Sequence, residues 1–404
     1  MLLAIKLASL VLLLVLLLRL KLDLALAIIA VTLYTVVLFQ INLPAALSSS
    51  GRILIEPASL QLLAIVILVQ VIGAVQKNRQ MFDRLICSLN TLIRDRRLVA
   101  MVAPAIIGLL PMPGGALVSA PLVDVSTEQM KLKPAFTAFL NFWFRHDWEL
   151  IWPLYAGLLL FQTMSRIPLK KIILYQLPFS LLHIATGCIV AFLYFRRHRV
   201  IAERPPAGNG LRDAPGDFVA GTWPLLLVIM LFFVGLPLWL SLVGVTLLLG
   251  VLKKVRLPEW RGILFSPTMV RSVLVIAAVL VFQKIIQMSA AFDALKTMPV
   301  SLGLTVLFVF LISFTIGFLT GVNTAYIAIA FPVVLPLIQH LPNYFYLSLY
   351  IYVIGFAGIM VSPLHLCLVL TNEYFGASLL DVYRYLAFPI LAMVGLATLL
   401  VLVL

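Results

Sequence analysis

Apolar residues run along this chain in long blocks, not in the short alternations of strands or the one-sided stripes of soluble helices. The blocks predict spans at about 2–18, 22–41, 59–76, 135–163, 170–195, 218–236, 238–252, 263–288, 344–370 and 383–404. Most approach or exceed the ~20 residues that cross a bilayer. Between them lie a loop at 42–58 with Pro44, Gly51 and Pro57, a basic amphipathic segment at 77–97 and a basic loop at 253–261. Two further apolar stretches are interrupted. One, at 98–122, holds Pro104, Pro111, Pro113, Gly114 and Gly115; the other, at 300–338, holds Gly321, Asn323 and Thr324.

The order of these elements repeats. Phe82-Asp83-Arg84-Leu85 returns as Phe292-Asp293-Ala294-Leu295, and Pro153-Leu154 returns as Pro363-Leu364, both at a spacing of 210. Residues 1–195 form one unit and 218–404 the other, joined by a polar linker at 196–217. If each interrupted stretch enters and leaves on one side as a re-entrant hairpin, each unit has five full crossings. Five is odd, so the second unit is upside down relative to the first, an inverted-topology repeat.

Composition fits this picture. Hydrophobic residues make up 63% of the chain and charged residues 11%, with a mean hydropathy of +1.14. That excludes a soluble domain and predicts an all-α polytopic protein of the inner (cytoplasmic) membrane. The net charge of +14 reflects basic loops retained in the cytoplasm and does not imply nucleic acid. With the N- and C-termini outside and the linker cytoplasmic, 20 Lys and Arg residues fall inside and 7 outside, which favours that orientation. The first 18 residues lack a small-residue cleavage site and read as a retained span. Cys87, Cys188 and Cys367 are too scattered for a disulfide framework or a metal cluster. No cofactor and no bound metal are expected.

Four segments carry candidate chemistry. Pro113, Gly114, Gly115 and Ala116 cannot continue a helix through lipid, and freed backbone at that depth must face protein or a water-filled cavity. A helix starting near Ala116 offers its positive end to an anion. A proline-kinked ordinary span is the plain alternative. Gly321, Asn323 and Thr324 place an amide and a hydroxyl beside a glycine turn, suited to Na⁺ or a carboxylate; as an alternative they simply join two helices. Around Pro153 lie Arg145, His146, Asp147 and Glu149, and around Pro363 lie Ser362 and His365. A proline frees carbonyls one turn earlier, and broken helices facing hairpin tips form a midplane site. Arg145 and Glu149, four apart, would pair on one helix face. Asp124, Asp147, Glu149 and Glu373 are candidate proton or cation carriers, with Asn323 and Thr324.

Pro111-Met-Pro-Gly-Gly-Ala, Asn141-Phe-Trp-Phe-Arg-His through Trp152-Pro-Leu-Tyr, and Ser362-Pro-Leu-His-Leu-Cys-Leu resemble domain-of-unknown-function family 401, a group of prokaryotic integral membrane proteins. The resemblance spans nearly the whole chain. It implies the ion transporter superfamily, which includes dicarboxylate/sodium symporters and gluconate and citrate permeases. It further implies two re-entrant hairpins, a homodimer and an elevator-type motion. Asn323-Thr324 resembles the second hairpin motif of the dicarboxylate symporters, with Val322 in place of Ser. The first hairpin lacks the matching Asn and Thr.

The expected function is secondary active transport of a small anionic, carboxylate-type solute, coupled to Na⁺ or H⁺. Pro113, Gly114, Gly115, Ala116, Gly321, Asn323, Thr324, Ser362, Pro363 and His365 would contact it. The alternatives are a cation/proton antiporter without organic substrate and a lipid-related transporter. The chain has no His-Glu-x-x-His, Gly-x-Ser-x-Gly or phosphate-loop motif that would mark an enzyme.

Overall fold

The computed structural model describes residues 2–93, 95–109, 115–200, 214–289 and 301–403, the side chains of residues 2–5, 7, 8, 83, 86, 87 and 90 excepted. Among these residues all regular structure is helical. The first half comprises α1 (Leu2–Arg19), α2 (Leu24–Leu38), α3 (Leu43–Ile55), α4 (Pro57–Asn78), α5 (Met81–Leu92), α6 (Arg96–Gly108), α7 (Ala116–Thr127), α8 (Pro134–Arg145), α9 (Ala156–Ser165) and α10 (Leu169–Arg197). The second comprises α11 (Ala214–Val234), α12 (Leu238–Leu252), α13 (Leu257–Leu264), α14 (Pro267–Gln287), α15 (Leu302–Thr320), α16 (Asn323–Ile338), α17 (Tyr344–Met360), α18 (Leu366–Phe375) and α19 (Leu379–Val403). Most of the linker, Pro113, Gly114 and Asp293 lie outside the described residues.

Six described helices are long and apolar enough to cross a membrane: α4, α10, α11, α14, α15 and α19. Their backbone bonds close within the helix, as a lipid solvent demands. Short polar side chains start several helices. Asp23 accepts from the Ala25 amide at 2.9 Å, Asn42 from Ala45 at 3.0 Å and Ser266 from Met269 at 3.3 Å. Proline sits in the first turn of α4, α8 and α14, where no donor is lost.

Two segments read as loops are helical. The expected loop at 42–58 forms α3, because Asn42 caps it and Pro44 lies in its first turn. Gly51 is tolerated within it, and Pro57 opens α4. The basic loop at 253–261 turns at Lys254 (φ +48°) and then becomes α13. Both short helices are amphipathic in sequence and largely exposed.

The core runs through α8, α16 and α17. Every residue of α8 from Ala135 to Arg145 is buried, as is every residue of α17 from Leu347 to Met360. A helix apolar on all sides belongs in such a centre. Peripheral helices instead expose Leu and Phe, among them Leu181, Phe192 and Leu391. α15 and α17 touch backbone to backbone. A Cβ on Gly317 would strike the Gly355 carbonyl, and one on Gly358 would strike the Phe314 carbonyl.

Packing partners follow the same order in each half. α6 packs on α7 and α8, as α15 packs on α16 and α17. α9 crosses to α16, and α18 crosses to α7. α2 lies on α14, and α12 lies on α4. The interrupted helices thus pack on one another, with α4 beside α9 and α14 beside α16.

Candidate functional site

α8 stops at Arg145, and residues 146–155 form turns before α9; α17 stops at Met360, and residues 361–365 form turns before α18. Pro153 and Pro363 occupy these turns, where a missing amide hydrogen costs nothing. The two breaks close alike. The Tyr155 amide donates to Trp152 O at 3.1 Å, and the His365 amide donates to Ser362 O at 3.1 Å.

The last side chain of each break holds the end of a neighbouring helix. The Tyr155 hydroxyl donates to Gly108 O at 2.6 Å, at the end of α6. His365 Nδ1 donates to Gly321 O at 2.7 Å, at the end of α15. Trp148 adds a bond to Ala105 O at 2.8 Å, and Ser362 one to Phe318 O at 2.5 Å. Helix ends leave carbonyls without intrahelical partners, and these side chains satisfy some of them. Gly321 has φ +61°, and a Cβ there would lie 2.7 Å from His365 N. Only glycine fits both the dihedral and the space.

Polar groups from both halves then converge. Asn323, at the start of α16, donates through Nδ2 to Glu149 Oε2 at 3.2 Å and to the Tyr352 hydroxyl at 3.3 Å. Tyr352 donates to the Glu149 carbonyl at 3.0 Å. Asn323 rests on Gly157, where a Cβ would lie 2.8 Å from its side-chain amide. His146 Nε2 stands 3.1 Å from His365 Nε2 and 3.9 Å from Glu149 Oε1. Because α8 ends at Arg145, the helical spacing that would pair Arg145 with Glu149 does not extend to Glu149. The Arg145 guanidinium instead lies against Gly115, where any Cβ would collide with it. Nearby, Asn141 donates to Ala116 O and to Thr371 Oγ1, each at 3.1 Å, and accepts from Ser119 at 2.6 Å.

Gly115, Ala116, Gly321, Asn323, Glu149, Ser362 and His365 are therefore gathered in one polar centre. Pro363 is exposed beside it. Asp147 is buried but turns to the other side. Its Oδ1 is 3.4 Å from His183 Nε2, and the His183 ring stacks on Trp143 with centroids 3.9 Å apart. Asp124 and Glu373 lie on exposed faces of α7 and α18; no described contact joins them to the centre.

A cavity of ≈ 460 Å³ adjoins this centre. One wall holds Leu154, Ala156 and Thr324; the other holds Gln70 of α4 with Arg271 and Ser272 of α14. Ala156 and Thr324 sit in the first turns of α9 and α16, and neither helix start has a side-chain cap. Amides at uncapped helix starts carry partial positive charge. Arg271 pairs with Asp23 at 3.0 Å and is 71% exposed; Ser272 donates to Gln70 Oε1 at 3.2 Å.

Sequence reasoning missed Tyr155, Tyr352, Asn141, Gln70 and Arg271 as site residues. Two had a signal. Tyr155 is the 210-residue counterpart of His365, and Arg271 is a charge within an apolar span. Tyr352, Asn141 and Gln70 had none, because one polar group within an apolar helix more often joins neighbours than lines a site.

No curated protein matches the sequence. A family model described as a protein of unknown function (DUF401) matches residues 2–404.

Proposed function

The chain belongs to the DUF401 family, and we propose that it is a secondary active transporter for a small anionic, carboxylate-type solute. The solute occupies the cavity between Thr324 and Arg271. One observation carries this reading: two uncapped helix starts and a guanidinium border the same ≈ 460 Å³ space. Such a volume suits a small molecule. Amide donors at helix starts together with a guanidinium favour a carboxylate over a neutral or cationic solute. Asn323, Thr324 and the carbonyls of the two breaks supply oxygens for a coupling Na⁺; an H⁺ gradient is the other driving force compatible with this centre.

The common packing order of the two halves supports an inverted repeat. The cavity separates interrupted helices on one side from α4 and α14 on the other, a division that supports elevator-type movement between the two groups. With the N-terminus outside, Asp23, which pairs with the cavity residue Arg271, lies on the cytoplasmic side.

A thermal-shift screen tests the proposal. Purified protein is heated with mono- and dicarboxylates, sugar acids and sulfonates, each in Na⁺ or K⁺. At least one carboxylate is expected to raise the midpoint by mass action. The rise should vanish in Arg271→Ala and in Asn323→Ala. Full stabilisation of both variants by the same carboxylate would place its site elsewhere and refute the reading.

A further inference from the structure

His146 and His365 each have one ring nitrogen committed to a carbonyl. His146 Nδ1 lies 2.6 Å from Phe142 O, and His365 Nδ1 lies 2.7 Å from Gly321 O. A carbonyl can only accept, so each Nδ1 carries the hydrogen. On a neutral ring the other nitrogen, Nε2, is then a bare lone pair. The two Nε2 atoms face each other at 3.1 Å. Two lone pairs at that distance repel, and the arrangement calls for a positive charge between them.

Cys367 completes the group. Its Sγ and one nitrogen of each ring all lie within 4.8 Å of one another. We propose that His146, His365 and Cys367 form a binding site for one borderline-soft divalent cation of the zinc class. The donor set, two imidazoles and a thiolate, is one that Zn²⁺ prefers to Mg²⁺ or Ca²⁺. Zn–N bonds of about 2.0–2.1 Å put two ligating nitrogens roughly 3.3 Å apart in a tetrahedral site, close to the spacing here. The Nδ1–H···O=C bonds are also the outer contacts that fix ligating histidines in orientation and tautomer.

The surroundings fit a dication. Glu149 Oε1, 3.9 Å from His146 Nε2, stands where it can take the fourth position or leave it to water or solute. The Arg145 guanidinium, beside Gly115, is a further positive charge that the thiolate and carboxylate balance together with the ion. Pro363 and Leu364, directly before His365, are exposed. The ligands come from both halves of the chain, so the ion would fasten the break after α8 to the break after α17. No spacing motif announces this, because His146 and His365 are 219 residues apart.

Spectroscopy on the full-length protein tests the site without any transport assay, so its outcome is independent of the solute screen. Purified protein is stripped with a chelator and titrated with Co²⁺, then with Zn²⁺ in competition. One Co²⁺ per chain is expected, with tetrahedral visible bands and a near-ultraviolet thiolate-to-cobalt band, both displaced by Zn²⁺. Cys367→Ser should lose the thiolate band. His365→Gln should lose more affinity than the roughly 10–100-fold of an outer-contact change. Cys188→Ser, at an exposed cysteine elsewhere, should bind as the parent does. Should the parent chain take up no stoichiometric metal, a shared proton is left to separate the rings and the proposal fails. It fails equally if Cys367→Ser keeps the thiolate band, a readout that needs only the bound chain and not a stable apoprotein.

Discussion

Gly321 and Gly376 form a matched pair for testing how the turn after α15 meets the break after α17. Both end helices in the left-handed region, with φ +61° and +62°. A methyl added at Gly376 meets nothing within 4 Å. Gly376→Ala therefore carries only the backbone penalty, about 1–2 kcal/mol. At Gly321 the methyl would stand 2.7 Å from His365 N, 2.7 Å from Leu364 C and 2.9 Å from Ser362 Oγ. Two of these are backbone atoms and cannot rotate aside. Overpacking of this kind adds about 1–3 kcal/mol, for a total of about 2–5 kcal/mol. The displaced turn also loosens the 2.7 Å bond from His365 to Gly321 O. Unfolding midpoints of the two variants, measured in the same detergent against the parent chain, give the comparison. Gly321→Ala should lose about 1–3 kcal/mol more than Gly376→Ala loses. Equal losses would mean that Gly321 does not abut the break, and the construction of the polar centre from that contact would be wrong.

Asn141→Ala removes three hydrogen bonds and leaves Ala116 O and Ser119 buried without that partner. It should destabilise by about 1–3 kcal/mol or more, measured as a fall in unfolding midpoint, whereas Asn343→Ala, before α17 and without a side-chain cap bond, should change little. Gly51→Ala, in the exposed α3 with nothing within 4 Å, should stabilise by roughly 0.5–1 kcal/mol through helix propensity; Gly355→Ala, whose methyl would enter the Tyr326 ring, should destabilise strongly, and a chain that tolerates it would refute the tight fit of α16 on α17.

How much could be read from residues alone varied by element. The apolar blocks were legible as helices because a long run of Leu, Ile, Val and Ala has no other way to satisfy its backbone in lipid. α3 was not, because Pro44, Gly51 and Pro57 carry the same letters whether they interrupt a loop or mark the starts of helices. At the site, Gly321 and Pro363 signal themselves through their backbone requirements. The pairing of Asn323 with Glu149 does not, since it joins residues 174 apart through a fold that had to be known first. Arg145 and Glu149 misled for a local reason: the four-residue spacing presumes a helix that stops between them. Cys367 looked isolated in the chain, and only the crossing of α18 onto α7 and α8 brings it to two imidazoles.

The glycine seam between α15 and α17 has a mechanical consequence. Carbonyls pressed against the space beside Gly317 and Gly358 mesh like gear teeth, and neither helix can slide along the other without first separating. If the molecule changes shape in its working cycle, α15 and α17 must travel as one block. The slip plane then falls on the opposite flank, where Thr324 looks across open volume at Ser272.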